Sequence, residues 1–415
     1  MKFKFILFTV AVFTSITSTA QFSLDGELRP RTEYRNGFGE IITDASEPGF
    51  GTSTRARLNF GYKSEGFDTY ISLQDVMVWG ENRQLKPEDD NNSFAIFEAW
   101  ANLKLGASTS VKLGRQSIAY DDQRIMGGVD WTQQARNHDA AVLKHKKGSF
   151  LFDLGLAFNQ DYNNPSGFIS AGNNYATTGF FSYKTMQYGY LKNSWNTFSG
   201  SLLAMNNGFQ ETGDVSYLQT IGTHLTYKKA KFGAEANLFI QSGKRQGDVD
   251  VKGAYLASLD FSYKASDKVT LGLGTEIISG NDGGAGETGA FFPLYGTNHK
   301  FNGVMDYFYV GNHANSVGLV DIHASTNFNL GNNASLLVQA LNFSGEQELA
   351  SGEKSLGTEI DLVFSKKFKG YTLVAGYSQM FANDGMYELK GVAENVAANS
   401  QNWAWVMLVI KPKFL

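Results

Sequence analysis

The chain has 415 residues, no cysteine, 45 glycines, only 6 prolines, 14% aromatic residues and a formal charge of −4. The missing thiols exclude a disulfide framework, a thiolate metal centre and a cysteine nucleophile. The acidic excess excludes nucleic-acid binding through a basic face, and the aromatic content excludes a collagen-like or disordered chain.

Residues 1–20 have the three parts of a secretory signal peptide. Lys2 and Lys4 come first, an apolar stretch runs from Phe5 to Phe13, and a Ser/Thr tract ends in Ser18-Thr19-Ala20. The apolar stretch is about half the length that a membrane-spanning helix needs. Removing the leader takes the formal charge from −4 to −6, since Lys2 and Lys4 leave with it.

From residue 21 onward the pattern has a period of two. Leu24, Gly26 and Leu28 oppose Asp25, Glu27, Arg29, Arg31, Glu33 and Arg35; then Ala56, Leu58, Phe60 and Tyr62 oppose Arg55, Arg57 and Asn59. Phe97, Ala99, Ala101 and Leu103 follow against Glu98, Asn102 and Lys104, and later Phe232, Ala234, Ala236 and Leu238 against Glu235 and Asn237. Leu259 and Phe261 oppose Asp260, and Ile360, Leu362 and Phe364 oppose Glu359 and Asp361.

The spacing predicts strands near 22–35, 53–63, 67–79, 94–105, 109–118, 138–146, 149–159, 175–187, 195–206, 217–229, 231–241, 252–264, 267–279, 316–329, 334–344, 355–368, 371–381 and 402–414. That is about 18 strands, an even number, as a closed single-chain barrel requires. Short connectors such as Ser64-Glu65-Gly66 and Lys369-Gly370 alternate with long ones near 36–52, 80–93, 119–137, 160–174, 242–251, 280–315 and 382–401. The apolar faces carry many Ala, Gly and Thr, which suit lipid better than an interdigitated core. Aromatics gather at segment ends (Tyr62, Trp79, Tyr227, Tyr263, Phe328, Tyr371), where interfacial girdles lie. The expected fold is therefore all-β: a transmembrane antiparallel barrel over residues 21–415 in the outer membrane, with long outer loops, short periplasmic turns and lipid as a partner.

Three blocks carry a resemblance. LGRQSIAYDDQRIMGGVDWTQQARNHDAAVL (Leu113 to Leu143), FFPLYGTNHKFNGVMDYF (Phe291 to Phe308) and LGTEIDLVFSKKFKGYTLVAGYSQMF (Leu356 to Phe381) resemble, in order, the alginate export family of outer-membrane porins. The resemblance covers essentially the whole chain after the leader. It implies an eighteen-stranded barrel with a charged, Arg-lined pore.

Nine of the ten arginines precede residue 137. The residues expected to line or select at the pore are Arg29, Arg31, Arg55, Arg57, Glu98, Arg115, Asp121, Asp122, Arg124 and Arg136. The same arginines could instead pair with Asp25, Glu27, Glu33 and Glu98 to hold the wall. The segment Tyr120 to Arg136 is expected either to fold inward and narrow the channel or to form an outer loop. The second half offers Glu235, Asp260, Glu276, Asp321, Glu359 and Asp361 on its polar faces, where a polyuronate exporter needs more arginine. A basic arc facing an acidic arc makes a transverse field, which suits small polar or charged solutes and sugars.

The rival functions are a polyuronate export channel, a barrel-embedded hydrolase using Ser325 near His323, and a surface adhesin. No GxSxG or P-loop occurs, and the six histidines are too far apart for a helical zinc motif. Asn281 to Glu287 reads as a Gly-rich loop before it reads as a Ca²⁺ site. No enzyme activity, cofactor or metal is expected. The sequence leaves the solute and the oligomeric state open.

Overall fold

The computed structural model describes residues 21–81, 93–159, 183–211, 214–281, 286–309, 313 and 316–415. The predicted leader, most of the 80–93 connector with Arg83, the whole 160–174 connector and the first part of the expected strand 175–187 lie outside the described residues. The strands are β1 (Gln21–Asn36), β2 (Gly49–Lys63), β3 (Phe67–Val78), β4 (Ala95–Lys104), β5 (Thr109–Gln116), β6 (His138–Lys147), β7 (Phe150–Phe158), β8 (Thr185–Trp195), β9 (Phe198–Gln210) and β10 (Val215–Lys229). They continue as β11 (Phe232–Arg245), β12 (Val249–Lys264), β13 (Val269–Ile278), β14 (Glu287–Thr288), β15 (Leu319–Gly331), β16 (Ala334–Ser344), β17 (Ser355–Lys367), β18 (Tyr371–Ala382) and β19 (Gln401–Ile410). A short helix, α1 (Asp384–Lys390), follows β18.

Each strand pairs antiparallel with the next, and β19 returns to β1 from Leu28↔Ile410 to Asn36↔Asn402. Beyond that seam Gly26 donates to the Pro412 carbonyl (3.0 Å) and Phe414 to that of Leu24 (2.8 Å). The exception is β14, a two-residue stub parallel to β12, so eighteen strands form the closed wall. Closure removes every sheet edge, which is what makes strands admissible in hydrocarbon. Among the described residues no helix is long and apolar enough to cross a membrane.

Alternation sets the two faces. Ile71, Leu103, Leu156, Leu202, Ile221, Leu238, Leu273, Ile322 and Val406 are exposed on the outside, a band of apolar surface far beyond what a water-soluble monomer tolerates. Exposed Trp79, Tyr227, Tyr263 and Tyr371 stand at strand ends as expected of girdles. The inward face is polar near β1–β4 and again from β10 to β17, but aromatic at β8 (Tyr188, Tyr190) and β19 (Trp403, Trp405). There the Tyr188 ring lies over its cross-strand partner Gly155 and the Trp405 indole over Gly376, so any side chain at either glycine would occupy the ring's place.

Three expectations need correction. Strand eight is Thr185–Trp195 and runs on past the end expected at residue 187, because its inward residues Met186, Tyr188 and Tyr190 are apolar and buried and so invert the polar rhythm. The connector expected at 242–251 is only 246–248, because β11 and β12 run on as a paired hairpin past a bulge at Gln241/Gly243. Phe97, expected on the lipid face, is buried inside: a bulge opposite Ser72/Leu73 places it and Glu98 on the same side.

Candidate functional site

The segment 117–137, between β5 and β6, folds into the barrel and reaches the wall on two sides. Toward β1 and β2 it offers backbone carbonyls. Arg29 donates to Asp130 O (2.6 Å) and Thr132 O (2.6 Å), and its Nε to the Gln133 side chain (3.1 Å). Arg31 donates to Trp131 O (2.9 Å), with its guanidinium 4.6 Å from the Trp131 ring. Arg55 is held by Glu27 and reaches the Asp130 carboxylate at 2.9 Å. Arg57 reaches the same carboxylate at 3.3 Å, lies 3.8 Å over Phe97, and donates to Gln74 (2.7 Å).

Toward β7–β13 the segment offers side chains. Tyr120 stacks on Tyr190 at 4.0 Å and donates to Asp153 (2.7 Å). Asp121 accepts from Tyr190 (2.7 Å), Lys192 (2.8 Å) and Ser201 (2.6 Å). Asp122 accepts from Asn237 at 2.7 Å. Arg124, 2% exposed, makes a two-point pair with Glu276 (2.8 and 2.5 Å) and donates to Asn298 (2.7 Å) and Asn302 (3.1 Å). Its alignment needs Asp121, Gln123, Val129 and Ala135 at positive φ, costly for Val above all, and the hydrogen bonds on either side hold those angles.

A second loop, between β13 and β15, joins the first. Tyr295 N donates to Ile125 O (3.0 Å) and Gly127 N to Tyr295 O (2.8 Å), a parallel bridge inside the barrel. Trp131 stacks on His299 at 4.6 Å and meets Trp405 edge-on. Arg136 donates to Gly296 O (3.3 Å), and Met305 N to Glu359 (2.8 Å). Ile118, Ile125, Met126, Phe291, Phe292, Leu294, Met305 and Tyr307 thereby bury an apolar core within the barrel.

Asp130 decides the charge balance beside β1 and β2. Partial desolvation by the surrounding loop is the largest single influence and opposes its ionisation, but Arg55, Arg29 and Arg57 together outweigh it, and the carboxyl titrates below the usual carboxylate range although the side chain stays open to the lumen. On the facing wall a cavity of about 290 Å³ is lined by Asp122, Glu235, Asp260, Glu276 and Asp321, with Lys300 and His323 among them.

Of the residues expected at the pore, Arg29, Arg31, Arg55, Arg57, Asp121, Asp122, Arg124 and Arg136 meet along these two loops. Glu98 faces inward but stands apart, accepting from Trp100 (2.8 Å). Arg115 does not join them. It shares the outward face with Leu113 and pairs across the strands with Asp139 (2.9 Å), which neutralises it beside the rim. Sequence reasoning passed over Gln133, Asn298 and Asn302, for which loop polarity offers no signal. It also missed Lys112, Lys144 and Lys192, which strand parity places inward. His323 is held between Asp260 (2.8 Å) and Asp321 (3.2 Å), so neither ring nitrogen is left for Ser325. Of the Gly-rich loop at 281–287, residues 282–285 lie outside the described residues; Glu287 pairs with Lys252.

The sequence profile of the alginate export family matches residues 21–395. No curated protein sequence matches the chain. Among solved structures, OccAB4 of Acinetobacter baumannii is similar at 14% identity and a TM-score of 0.63, covering 95% of this chain and 98% of that one. The outer membrane protein opdK of Pseudomonas aeruginosa is similar at 13% identity and a TM-score of 0.63, covering 95% and 99%. OpdK with vanillate aligns equally well, at 12% identity and a TM-score of 0.63, covering 95% and 99%.

Proposed function

The chain belongs to the alginate export family, and from that premise we propose that this outer-membrane barrel channel passes small polar or charged solutes by diffusion and does not thread a polyuronate. One observation carries the reading. Arg29, Arg31, Arg55 and Arg124 direct their donors to loop carbonyls, to Gln133, Asn298 and Asn302, and to Glu27, Glu33, Asp130 and Glu276. A polyanion needs successive cations whose donors are available, and Coulomb attraction to guanidiniums already paired is weak in a water-filled lumen.

The opposite wall adds repulsion for polyuronates through Glu235, Asp260 and Asp321, while Lys300 and His323 temper it for small ions. A single carboxylate of the size of vanillate, present in one similar structure, matches the scale of solute proposed. In liposome swelling, neutral monosaccharides and amino acids should permeate. In planar bilayers, oligouronates should block the current weakly or not at all. Submillimolar, voltage-dependent block would restore the polyuronate exporter, and absence of any conductance would favour an adhesin or a barrel hydrolase.

A further inference from the structure

We propose that Asp122, His224 and Glu235 form a binding site for a divalent first-row transition ion of the zinc type, which ties the inward loop to the wall. One ligand atom from each of the three lies within 4.8 Å of the others. They come from three elements, the loop, β10 and β11, so their separation in sequence hides the set.

The hydrogen bonds around His224 prepare it as a ligand. The Asn237 amide nitrogen donates to Asp122 (2.7 Å) and to Ser258 (3.1 Å), which turns its carbonyl oxygen toward His224 Nδ1 at 3.0 Å. Nδ1 must therefore carry the proton. The lone pair is left on Nε2, 3.8 Å from Glu235 Oε1, while Asp122 Oδ2 lies 3.8 Å from Nδ1 and joins the ion by turning toward the Nε2 side. A metal-bound imidazole is ordinarily arranged in this way, its far nitrogen donating to a fixed oxygen. Two bonds of about 2.0–2.2 Å span at most about 4.4 Å, so an ion fits between Nε2 and Glu235 as they stand, and the set, spread over up to 4.8 Å, closes on it by a small turn of the Asp122 carboxylate.

Burial gives the site one open side. His224 and Asp122 are buried, whereas the Glu235 side chain is 40% exposed and faces the acidic cavity, from which water can complete the coordination. Asp260 and Asp321 on the same cavity, with His323 between them, raise the local cation concentration, whereas Glu276 is neutralised by Arg124. Lys300 donates to the backbone oxygen of Asp122 (3.0 Å), and its long side chain can withdraw when an ion arrives. The imidazole selects zinc-like ions over Mg²⁺ and Ca²⁺.

Binding is testable without conduction. Calorimetric titration of the folded barrel in detergent with Zn²⁺ should give one ion per chain, undisturbed by excess Mg²⁺. His224→Ala and Glu235→Gln should abolish it. Asn237→Leu, which removes the orienting oxygen, should weaken it by roughly ten- to a hundred-fold. His323→Asn, in the same lumen, should leave it unchanged, and heat-modifiable gel migration would show that each variant is folded. Absent binding, binding retained in folded His224→Ala, or equal loss in His323→Asn would overturn the site. The effect on transport rests on the channel reading, which the conductance of the metal-free protein tests separately.

Discussion

Removing the guanidinium of Arg124 would strand the Glu276 carboxylate in a buried position, whereas replacing both partners by apolar side chains would strand nothing. Breaking one side of such a pair costs about 3–5 kcal/mol, and joint apolar replacement is often neutral. Arg124→Ala should therefore speed proteolytic nicking of segment 117–137 in an intact barrel, and Arg124→Met with Glu276→Leu should restore most of the protection. Asp130 is the contrasting case, because its carboxylate is 61% exposed and its worth lies in charge more than in anchoring energy. Asp130→Asn should shift the reversal potential in a salt gradient toward anion selectivity, less so at high salt, where charges are screened over a few ångströms. Its folded pKa is depressed below the ordinary carboxylate value of about 3.9, so in the folded channel it stays ionised above that value and loses its charge only as pH falls through the lower folded value. The difference between parent and Asp130→Asn should thus be constant from pH 7 to about 4 and close below that. A difference that already fades near pH 5 would mean that Arg55, Arg29 and Arg57 do not hold the carboxylate as described. At this scale the sequence showed that arginines crowd the first strands. It could not show that carbonyls of a loop a hundred residues away would occupy them.

Strands were legible because a wall between lipid and a polar interior forces a two-residue period, as β1, β2, β11 and β17 display. Replacing Leu103, Leu238 or Leu362 with Arg places a charge on that outer face at a cost of about 2–4 kcal/mol near the midplane. Each should reduce the folded fraction seen as heat-modifiable migration, and normal assembly of all three would invert the faces assigned here. The period failed where the interior stopped being polar. Facing the inward loop, β8 presents Met186, Tyr188 and Tyr190 to Tyr120 and its neighbours, so its inner side reads as apolar and its end was placed too early. It also failed at Phe97, where one added residue reverses the faces without a mark in composition. Arg115 was misplaced for a different reason: its charge was taken as lumenal although Leu113, two residues earlier, shares its face. Pairing with Asp139 is what makes the outward position tolerable.

For the whole molecule, strand number and the division into a short-turn rim and a long-loop rim followed from spacing alone, while the contents of the lumen did not. Ile125, Met126, Phe291, Phe292 and Leu294 gave the available signal, since loops that stay in water have no reason to be so apolar. Replacing residues 121–134 by a short Gly-Ser linker should leave the wall assembled and raise single-channel conductance several-fold; unchanged conductance would mean that solutes bypass the loop. The seam between β1 and β19 has a consequence for assembly. Joining Leu28 to Ile410 closes nearly the entire described chain into one ring, an entropic cost of roughly 5 kcal/mol by loop-closure scaling, and β19, which meets β1, is the last of the wall strands in chain order. Until it pairs, β1 and β18 are both open edges, each able to template pairing with a neighbouring chain. A barrel lacking β19 is therefore not a slightly weakened channel but an unfinished sheet with two adhesive borders, so one strand separates a sealed wall from a chain primed to stick to its neighbours.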